Sequence, residues 1–545
     1  MNRVRIRGRG MGIAGALLAV VLVGCPGPGP DDPGSARAAA DNTVRALFSA
    51  DPASLTLLGK MDLNTEILAV QITDSLVQYD SRLALRPRVA ESWEVSADRR
   101  TVTFHLRDGV RWHDGTPVTA EDVVFSVQAA CEPATENKTY AGLMRAIESI
   151  TAPDPHTVRV RYSAMSPDFL EAWRLPLLPR HLAGADADLL TGEFAKHPVG
   201  CGPFRFVSYR QGQEIVLAAN LDYWDGRPRI DRLVLKIFPD QRTAYQALML
   251  GELDLMKASA DLWLEAQRSD AAGRLGSFVY WPLSVWPVVW NLENNPFFGD
   301  ARVRRAMVHA LDRDEFAEVV VHGQARTAVT TYHPDTEWAD ARLAPHAHDP
   351  QLAARLLDEA GWTDADGDGV REKNGRPFRF TLLTPESTMQ LAQQIVVWQQ
   401  HSWARIGIQV EIEQLEWQTF RERRNAGAFE AASFSMTLTP SPDQFDLYHS
   451  SAREAYNFYG LRDAEIDRLL ELGRVEFDDA RRKEIYRSLQ HVLHEREPIG
   501  AMFHFATPIL HDAALEGLMG SPLGLWVTTE GPRLWRWESR GGSAE

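Results

Sequence analysis

Short motifs of the kind that mark a catalytic centre are absent from the sequence. The chain has no Gly-x-Ser-x-Gly nucleophile turn, no Walker A phosphate loop and no His-Glu-x-x-His zinc motif. The nearest approach is His491-Val492-Leu493-His494-Glu495, in which the acid does not follow the first histidine as the zinc chemistry requires. The sequence therefore predicts a protein that is not an enzyme and that holds no cofactor.

One acidic segment imitates a metal site. Residues 364–369 read DADGDG, with aspartates at alternate positions and a glycine sixth, as in a calcium-binding loop. The twelfth position, where such a loop needs a bidentate glutamate, is Gly375, and Arg371 and Lys373 bring positive charge into the loop. We interpret the segment as a tight turn and predict no metal site, with calcium binding as the alternative.

Bulk properties exclude one class of partner. The chain has 545 residues, which favours several domains, and a formal net charge of −16. Nucleic-acid binding needs clustered positive charge to meet the phosphates, so nucleic acid is not an expected partner.

The amino terminus predicts export and lipid attachment. Four arginines precede the uncharged stretch 11–23, which is too short for a membrane span and typical of a signal peptide. Leu22-Val23-Gly24-Cys25 matches the lipobox of bacterial lipoproteins. We expect Cys25 to be diacylated and to hold the protein outside the cytoplasmic membrane; the alternative is a plain signal peptide with an incidental cysteine. Residues 26–40 have no apolar periodicity and are expected to form a flexible tether.

The most informative stretch is 87–127, and its local pattern predicts a hairpin followed by a helix. Apolar residues alternate over 91–95 and 101–106 on either side of a polar turn, as in a β-hairpin. Thr119 with Asp122 three residues later resembles a helix start. The literal string, with WHDG at 112–115 and TAEDV at 119–123, closely resembles the signature of the family 5 extracellular solute-binding proteins, the peptide/nickel class of ABC-transporter components.

That resemblance implies an α/β fold of two lobes with mixed sheets flanked by helices, of the class II periplasmic-binding-protein type, and an extra α+β domain inserted in lobe one. It also implies solute capture by lobe closure and delivery to an ABC permease and its ATPase, by a protein expected to be monomeric. The expected division is a signal peptide over 1–24, a tether over 25–41, lobe one over 42–84, 201–290 and 506–545, the extra domain over 85–200, and lobe two over 291–505.

The resemblance also implies candidate ligand-binding residues. In the stretch 416–443, Trp417 matches a pocket tryptophan of oligopeptide-binding members, and Arg424 matches an arginine that can meet a peptide carboxylate. Other positions depart from the peptide-binding pattern or mark the crossing between the lobes: Ser433 in place of a second arginine, Met436 in place of a tryptophan, Leu438 or Thr439 in place of an aspartate that pairs with the ligand's α-ammonium, and Trp290 and Asn291 at the crossing.

Asp74 is a further candidate from lobe one. It lies within the segment 67–79, whose spacing is helical, and the resemblance matches it to an acid that can face the ligand in this family. The alternative is a solvated carboxylate at a helix end.

The ligand itself stays open at this level. A buried ammonium without a counter-charge is strongly disfavoured, so either another acid such as Asp74 or Asp443 substitutes, or the ligand has no free amino terminus. We rank a peptide first and a neutral oligosaccharide or other polar solute second, with a nickel chelate less favoured. A receptor or chaperone-like protein without transport is the alternative from another class.

Two cysteines besides Cys25 allow one internal pairing. Cys201 stands where the resemblance expects a small polar residue, and Cys131 is its only partner. In an oxidising compartment the two are expected either to form a disulfide or to be two buried thiols.

Overall fold

The computed structural model describes residues 42–538, apart from 57–61, 133–134, 136–139, 141, 143, 183–191, 269–272, 294, 387–389 and 454. The predicted signal peptide, Cys25 and the tether lie outside the described residues. Three sheets of four or more strands organise the described part, and we name the parts of the molecule after them.

Lobe one is built on a seven-stranded mixed sheet. The predicted strand Thr43–Phe48 is present at its centre and runs parallel to both of its neighbours. Its interior side chains are buried among Leu, Ile and Phe residues contributed by distant parts of the chain. In spatial order the strands are Leu275–Tyr280, Thr507–Asp512, Leu255–Lys257, Thr43–Phe48, Arg232–Ile237, Glu214–Ala219 and Phe204–Arg210.

Lobe two is built on a second mixed sheet, at whose centre lie the strands that connect the lobes. We call Ser284–Trp290 the entry strand and Ile499–Phe505 the return strand; they pair antiparallel with each other. Both are almost wholly buried, as expected of central strands with continuous apolar sequence. In spatial order the strands are Ala325–Thr327, the return strand, the entry strand, Ala431–Ser433, Arg379–Pro385 and Gln409–Leu415, with Met436–Thr437 also pairing with the entry strand.

The entry strand corrects one expected boundary. It pairs with strands of the second sheet along its length, so it belongs to lobe two, although 201–290 was assigned to lobe one. The chain therefore leaves the first sheet after Tyr280 and enters the second at Ser284, and it returns between Phe505 and Thr507.

The extra domain carries the predicted hairpin within a four-stranded antiparallel sheet. Its strands are, in spatial order, Ala90–Val95, Thr101–Leu106, Thr157–Tyr162 and Ile147–Asp154. The predicted helix start is present: helix Ala120–Cys131 begins after Thr119, whose N–H donates to Asp122 Oδ2 at 2.8 Å. Val102, Phe104 and Trp112 are fully buried in the core beneath the sheet.

Part of the signature string is a clamp on a tight turn. The N–H of His113 donates to Gly200 O at 2.7 Å, and its ring Nε2 lies 3.1 Å from Gly202 O. A Cβ at Gly200 would lie 1.9 Å from Ile72 O, so only glycine fits this close approach. The signature therefore fixes the joint between the extra domain and lobe one.

The remaining regular elements are helices and short hairpins. The segment 67–79 is not one helix: the helix ends at Ile72, and Val77–Tyr79 pairs with Leu85–Pro87. The helices are Leu63–Ile72, Ala120–Cys131, Glu193–Lys196, Gln241–Met249, Ala260–Arg268, Ala301–His309, Arg313–Glu315, Pro350–Glu359, Gln390–Ala404, Trp417–Asn425, Phe445–Tyr448, Ala464–Val475 and Asp479–Arg496, with a π-helical turn at Phe316–Val320 and 3₁₀ turns at Phe169–Arg174, Arg180–Leu182 and Pro532–Leu534. Two further two-stranded sheets pair Glu372–Lys373 with Arg376–Pro377, as a hairpin, and Leu515–Glu516 with Arg536–Trp537, which is distant in sequence.

The two described cysteines form no disulfide, and only one of them matches the alternative of buried thiols. Cys131 lies exposed at the end of its helix, whereas Cys201 is buried in the turn against Ile72. Burial raises the pKa of the Cys201 thiol to about 12, so it stays protonated and unreactive.

Candidate functional site

One helix presents the candidate residues that are accessible. Helix Trp417–Asn425, which we call the site helix, is capped by Glu416, whose carboxylate accepts the N–H groups of Gln418 and Thr419. Trp417 is 49% exposed, which is unusual for so large an apolar side chain, and its ring stacks on buried Phe420. The aromatic face of Trp417 is therefore held in place and open to a ligand.

Arg424, at the other end of the site helix, is a cation without a carboxylate. Its guanidinium lies over the rings of Phe458 at 4.7 Å and Phe434 at 5.2 Å, and its side-chain hydrogen bonds go to Asn425 Oδ1. Within the described residues it makes no ion pair. Partial burial, and then the nearby Arg421, lower its pKa, yet it stays charged at neutral pH. Such a group fits an anionic part of a ligand.

Four other candidates lie in the interior of lobe two. Ser433 is buried, and its Oγ accepts the Trp286 Nε1–H at 2.9 Å. Trp290 is fully buried against Phe298 and Trp403. The buried Asn291 amide donates to Gly427 O and Phe429 O, and Met436 is buried too. The structure gives these side chains packing and bracing positions and does not support their assignment as ligand contacts.

Leu438 and Thr439 begin the loop 438–443, which we call the site loop. The N–H of Leu438 donates to Leu283 O at 2.8 Å, which ties the loop to the crossing between the lobes. Leu438 is half-buried and Thr439 is exposed, with its Oγ1 donating to Ser441 O. Thr439 thus has a hydroxyl open to solvent, while no charged group replaces the aspartate that peptide binders carry there.

Asp74 lies in lobe one, in a buried polar cluster. Its carboxylate accepts Arg88 Nε at 3.3 Å and Nη2 at 3.2 Å, the Tyr223 hydroxyl at 2.8 Å and Trp224 Nε1 at 3.1 Å. Burial, and then the charge of Asp74, raise the pKa of Tyr223 well above its usual range. Asp74 is therefore not a solvated helix-end carboxylate, and its acceptor positions are already occupied by protein donors.

An open pocket adjoins the Asp74 cluster on the lobe-one side. It is lined by Gln71, Asp74, Gln78 and Arg174, and by residues of the segment 526–533 that include Thr528. The Thr528 hydroxyl is buried and has no hydrogen-bond partner among the described residues.

Asp443 does not supply a free acid either. Its Oδ2 accepts Arg474 Nε at 3.0 Å, and burial raises the pKa of Asp443 while Arg474 opposes the shift. Neither acid that sequence reasoning offered as a counter-charge for a ligand ammonium is unpaired.

Residues 364–369 form the expected turn, and an acid from outside the turn, Glu372, lies close to two of its aspartates. Both oxygens of Asp364 accept backbone N–H groups, from Gly367 at 2.8 Å and Gly369 at 3.0 Å. Oxygens of Asp364, Asp366 and Glu372 lie within 4.8 Å of one another, and no other such group occurs among the described residues. Glu372 was missed because the hairpin that follows the turn brings it back.

Two residues that no local pattern singled out join the extra domain to lobe two. Asp168 and Arg482 form an ion pair, and Ser441 of the site loop donates to the same carboxylate. The residues are too far apart in sequence for spacing to reveal them. Along the described chain no helix is both long and apolar enough to cross a membrane.

Comparison with known proteins places this geometry among binding proteins. A family model described as bacterial extracellular solute-binding proteins, family 5 Middle, matches residues 84–457. The oligopeptide-binding protein AppA of Bacillus subtilis is 29% identical over 460 residues, covering 82% of each chain, and the heme-binding protein A of Haemophilus influenzae is 28% identical over 488 residues, covering 83% of this chain and 85% of that one.

Solved structures show the same fold. The B. subtilis AppA structure, in complex with a nonapeptide, has a TM-score of 0.77 at 26% identity and covers 91% of this chain and 99% of its own. NikA of Brucella suis, in complex with Fe(III)-EDTA, has a TM-score of 0.80 at 23% identity and covers 91% of this chain and 100% of its own. At that identity the NikA likeness speaks for the fold alone.

Proposed function

The chain belongs to the bacterial extracellular solute-binding proteins of family 5, and we propose that the solute it captures is a peptide or a peptide-like molecule. Its role is that of the substrate-binding component of a transport system. The proposal extends this to delivery of the peptide to an ABC permease and its ATPase by a monomer whose lobes close on the ligand.

One observation carries the choice of a peptide. Arg424 is a half-buried cation with three aromatic rings around it and no carboxylate partner among the described residues, and Trp417 lies exposed on the same helix. Guanidinium groups bind carboxylates with two parallel hydrogen bonds, and exposed indoles stack on planar or apolar groups. A peptide offers both a terminal carboxylate and side chains that stack.

The amino end of the peptide is not expected to pair with a carboxylate of the protein, in contrast to the carboxylate end, which is expected to pair with Arg424. Asp74 is saturated by Arg88, Tyr223 and Trp224, and Asp443 is paired with Arg474. A buried α-ammonium would meet no spare carboxylate at either place, and an unpaired buried charge is costly. The favoured ligand therefore has a blocked amino end or one that extends into water.

Titration with peptides tests the proposal. A pool of synthetic peptides from dipeptides to nonapeptides, each in free and N-acetylated form, is to be added to the purified protein, and binding followed by calorimetry. Trp417→Ala and Arg424→Gln are each expected to weaken binding about tenfold, equivalent to about 1.4 kcal/mol. The control is Leu250→Ala, which removes an exposed apolar side chain from lobe one. No binding to any peptide, or equal binding by all three variants, would contradict the proposal.

The relatives named above are binding proteins, and we propose that this chain likewise performs no catalysis.

We also propose that Cys25, outside the described residues, carries a lipid that anchors the protein on the outer face of a membrane. Cys25→Ser should move the protein from the membrane fraction to the soluble fraction of fractionated cells, since a diacyl anchor supplies the membrane affinity. Equal partitioning of variant and wild type would rule out the anchor.

A further inference from the structure

An ion pair joins the extra domain to lobe two away from the entry and return strands. Asp168 directly precedes the turn Phe169–Arg174 of the extra domain, and Arg482 lies in the first turn of helix Asp479–Arg496 in lobe two. Arg482 Nη1 donates to Asp168 Oδ1 at 2.8 Å and Nη2 to Oδ2 at 2.5 Å. This two-pronged geometry fixes both the distance and the orientation of the two parts.

Arg482 is prepared for this contact by its surroundings in lobe two. Its side chain is only 4% exposed, its Nε donates to Gly473 O at 3.0 Å, and its guanidinium faces the ring of Trp338. Burial alone lowers the pKa of Arg482, but the bonds to Asp168 raise it above its usual range. The guanidinium of Arg482 is thus charged and held in place. Among the described residues its carboxylate partner is Asp168, which belongs to the extra domain.

The same carboxylate also holds the site loop. Ser441 Oγ donates to Asp168 Oδ2 at 2.7 Å, and the loop in which it lies begins at Leu438, bonded to Leu283 at the crossing. Asp168 therefore receives three hydrogen bonds from lobe two, two from the helix and one from the loop beside the site helix.

A second contact borders the ion pair. Phe477, just before the helix that carries Arg482, packs against the core of the extra domain, and the Arg99 guanidinium lies 4.3 Å from its ring centroid. Burial of the Phe477 ring favours contact between the two parts without fixing their orientation. The ion pair between Asp168 and Arg482 fixes that orientation. Together they form a surface on which the extra domain meets lobe two.

We propose that Asp168 and Arg482 are positioning residues for solute capture, whose ion pair holds the extra domain against the helix Asp479–Arg496 and the site loop of lobe two in the closed form. The extra domain then stabilises the closed form, and this stabilisation sets how long the solute stays bound. The solute part of this inference rests on the proposed function, whereas the pairing of the two domains does not. Loss of Asp168 leaves the charge of Arg482 buried and unpaired, and loss of Arg482 removes two of the three hydrogen bonds that Asp168 accepts from lobe two; both favour the open form.

The test measures the distance between the two parts directly. Spin labels are placed on Cys131, which is exposed on the extra domain, and on Ser488→Cys, on the helix of Arg482, in a chain carrying Cys25→Ser; buried Cys201 does not react. Distance distributions are recorded with and without the peptide pool, for the otherwise unchanged chain and for Asp168→Asn and Arg482→Gln. Lys483→Gln is the matched control, because Lys483 pairs with Glu337 inside lobe two.

The expected result is a short-distance population that Asp168→Asn and Arg482→Gln deplete at least threefold and Lys483→Gln leaves unchanged. Raising the salt from about 0.05 M to about 0.5 M should deplete it in the parent chain and not in the two variants, because only the parent has the ion pair to screen. Asp168→Glu should restore part of it. If Arg482→Gln fails to fold, Asp168→Asn and Ser441→Ala carry the test.

Several outcomes would overturn the inference: no short-distance population in the parent chain under either condition, no change in Asp168→Asn, or an equal change in Lys483→Gln. Failure of the peptide pool to bind would contradict the proposed peptide ligand, but the distances without peptide would still decide whether the ion pair holds the domains together. In a chain that does bind, Asp168→Asn should raise the dissociation rate about tenfold with little change in the association rate.

Discussion

At the residue scale, the Asp74 cluster separates a structural carboxylate from a ligand contact. Asp74 satisfies the buried cation Arg88, which also reaches Asp225, and it accepts from Tyr223 and Trp224. Tyr223 and Trp224 lie in a segment that the resemblance already assigned to lobe one, but nothing in their spacing tied them to Asp74. The cluster therefore links Asp74 and the signature string, which contains Arg88, to the segment 223–225.

Replacing Asp74 tests this role. Asp74→Ala removes one of the two carboxylates paired with Arg88, whose side chain is 8% exposed, and leaves the partly exposed Asp225. Breaking a buried ion pair from one side costs about 3 kcal/mol, at the low end of the range for such pairs because Asp225 remains. The free energy of unfolding, measured with urea, should fall by that amount. Glu148→Ala, which breaks the exposed pair with Arg161, should cost less than about 1 kcal/mol. Lost peptide binding with unchanged stability in Asp74→Ala would show instead that Asp74 faces the ligand.

At the element scale, local patterns predicted single elements, the family resemblance implied the two-lobed fold, and neither predicted much of the site. The hairpin Ala90–Leu106 and the helix start at Thr119 were predictable because the turn, the alternation and the cap all act within a few residues. The burial of Trp290 and Ser433 was not, since it depends on strands that arrive from distant parts of the chain. The pairing of Asp168 with Arg482 spans 314 residues and leaves no periodic signal.

The return strand makes the stability of the crossing sensitive to acid. His504, on that strand, and His333 are both buried, with ring centroids 4.7 Å apart, and burial lowers the pKa of each to about 4. Unfolded histidine titrates near pH 6.5, so between about pH 6.5 and 4 the unfolded chain takes up protons that the folded chain refuses. Stability should be complete above about pH 6.5 and fall on acidification, by on the order of 3 kcal/mol for each imidazole.

Unfolding free energies across that range check the effect. His504→Gln should flatten the fall in stability with pH relative to wild type, whatever it does to stability at neutral pH. Parallel curves for wild type and His504→Gln would contradict the assignment.

At the scale of the whole molecule, the crossing between the lobes, lobe two and the extra domain have different roles. The chain crosses between the two seven-stranded sheets over 281–283 and at 506, next to the paired entry and return strands, and we propose that the lobes rotate about this short connection. The site helix and site loop present Trp417, Arg424 and Thr439 from lobe two, and the extra domain meets the same loop through Asp168. Closure thus brings together groups that neither lobe holds alone.

Small-angle scattering on the full chain, with and without bound solute, tests that central claim most directly. The protein is freed of co-purified ligand by unfolding and refolding, and its radius of gyration is compared with that of the same sample saturated with a solute shown to bind by calorimetry. The account predicts a smaller radius in the bound state, because the lobes close around the solute. Equal dimensions with and without a tightly bound solute would contradict it.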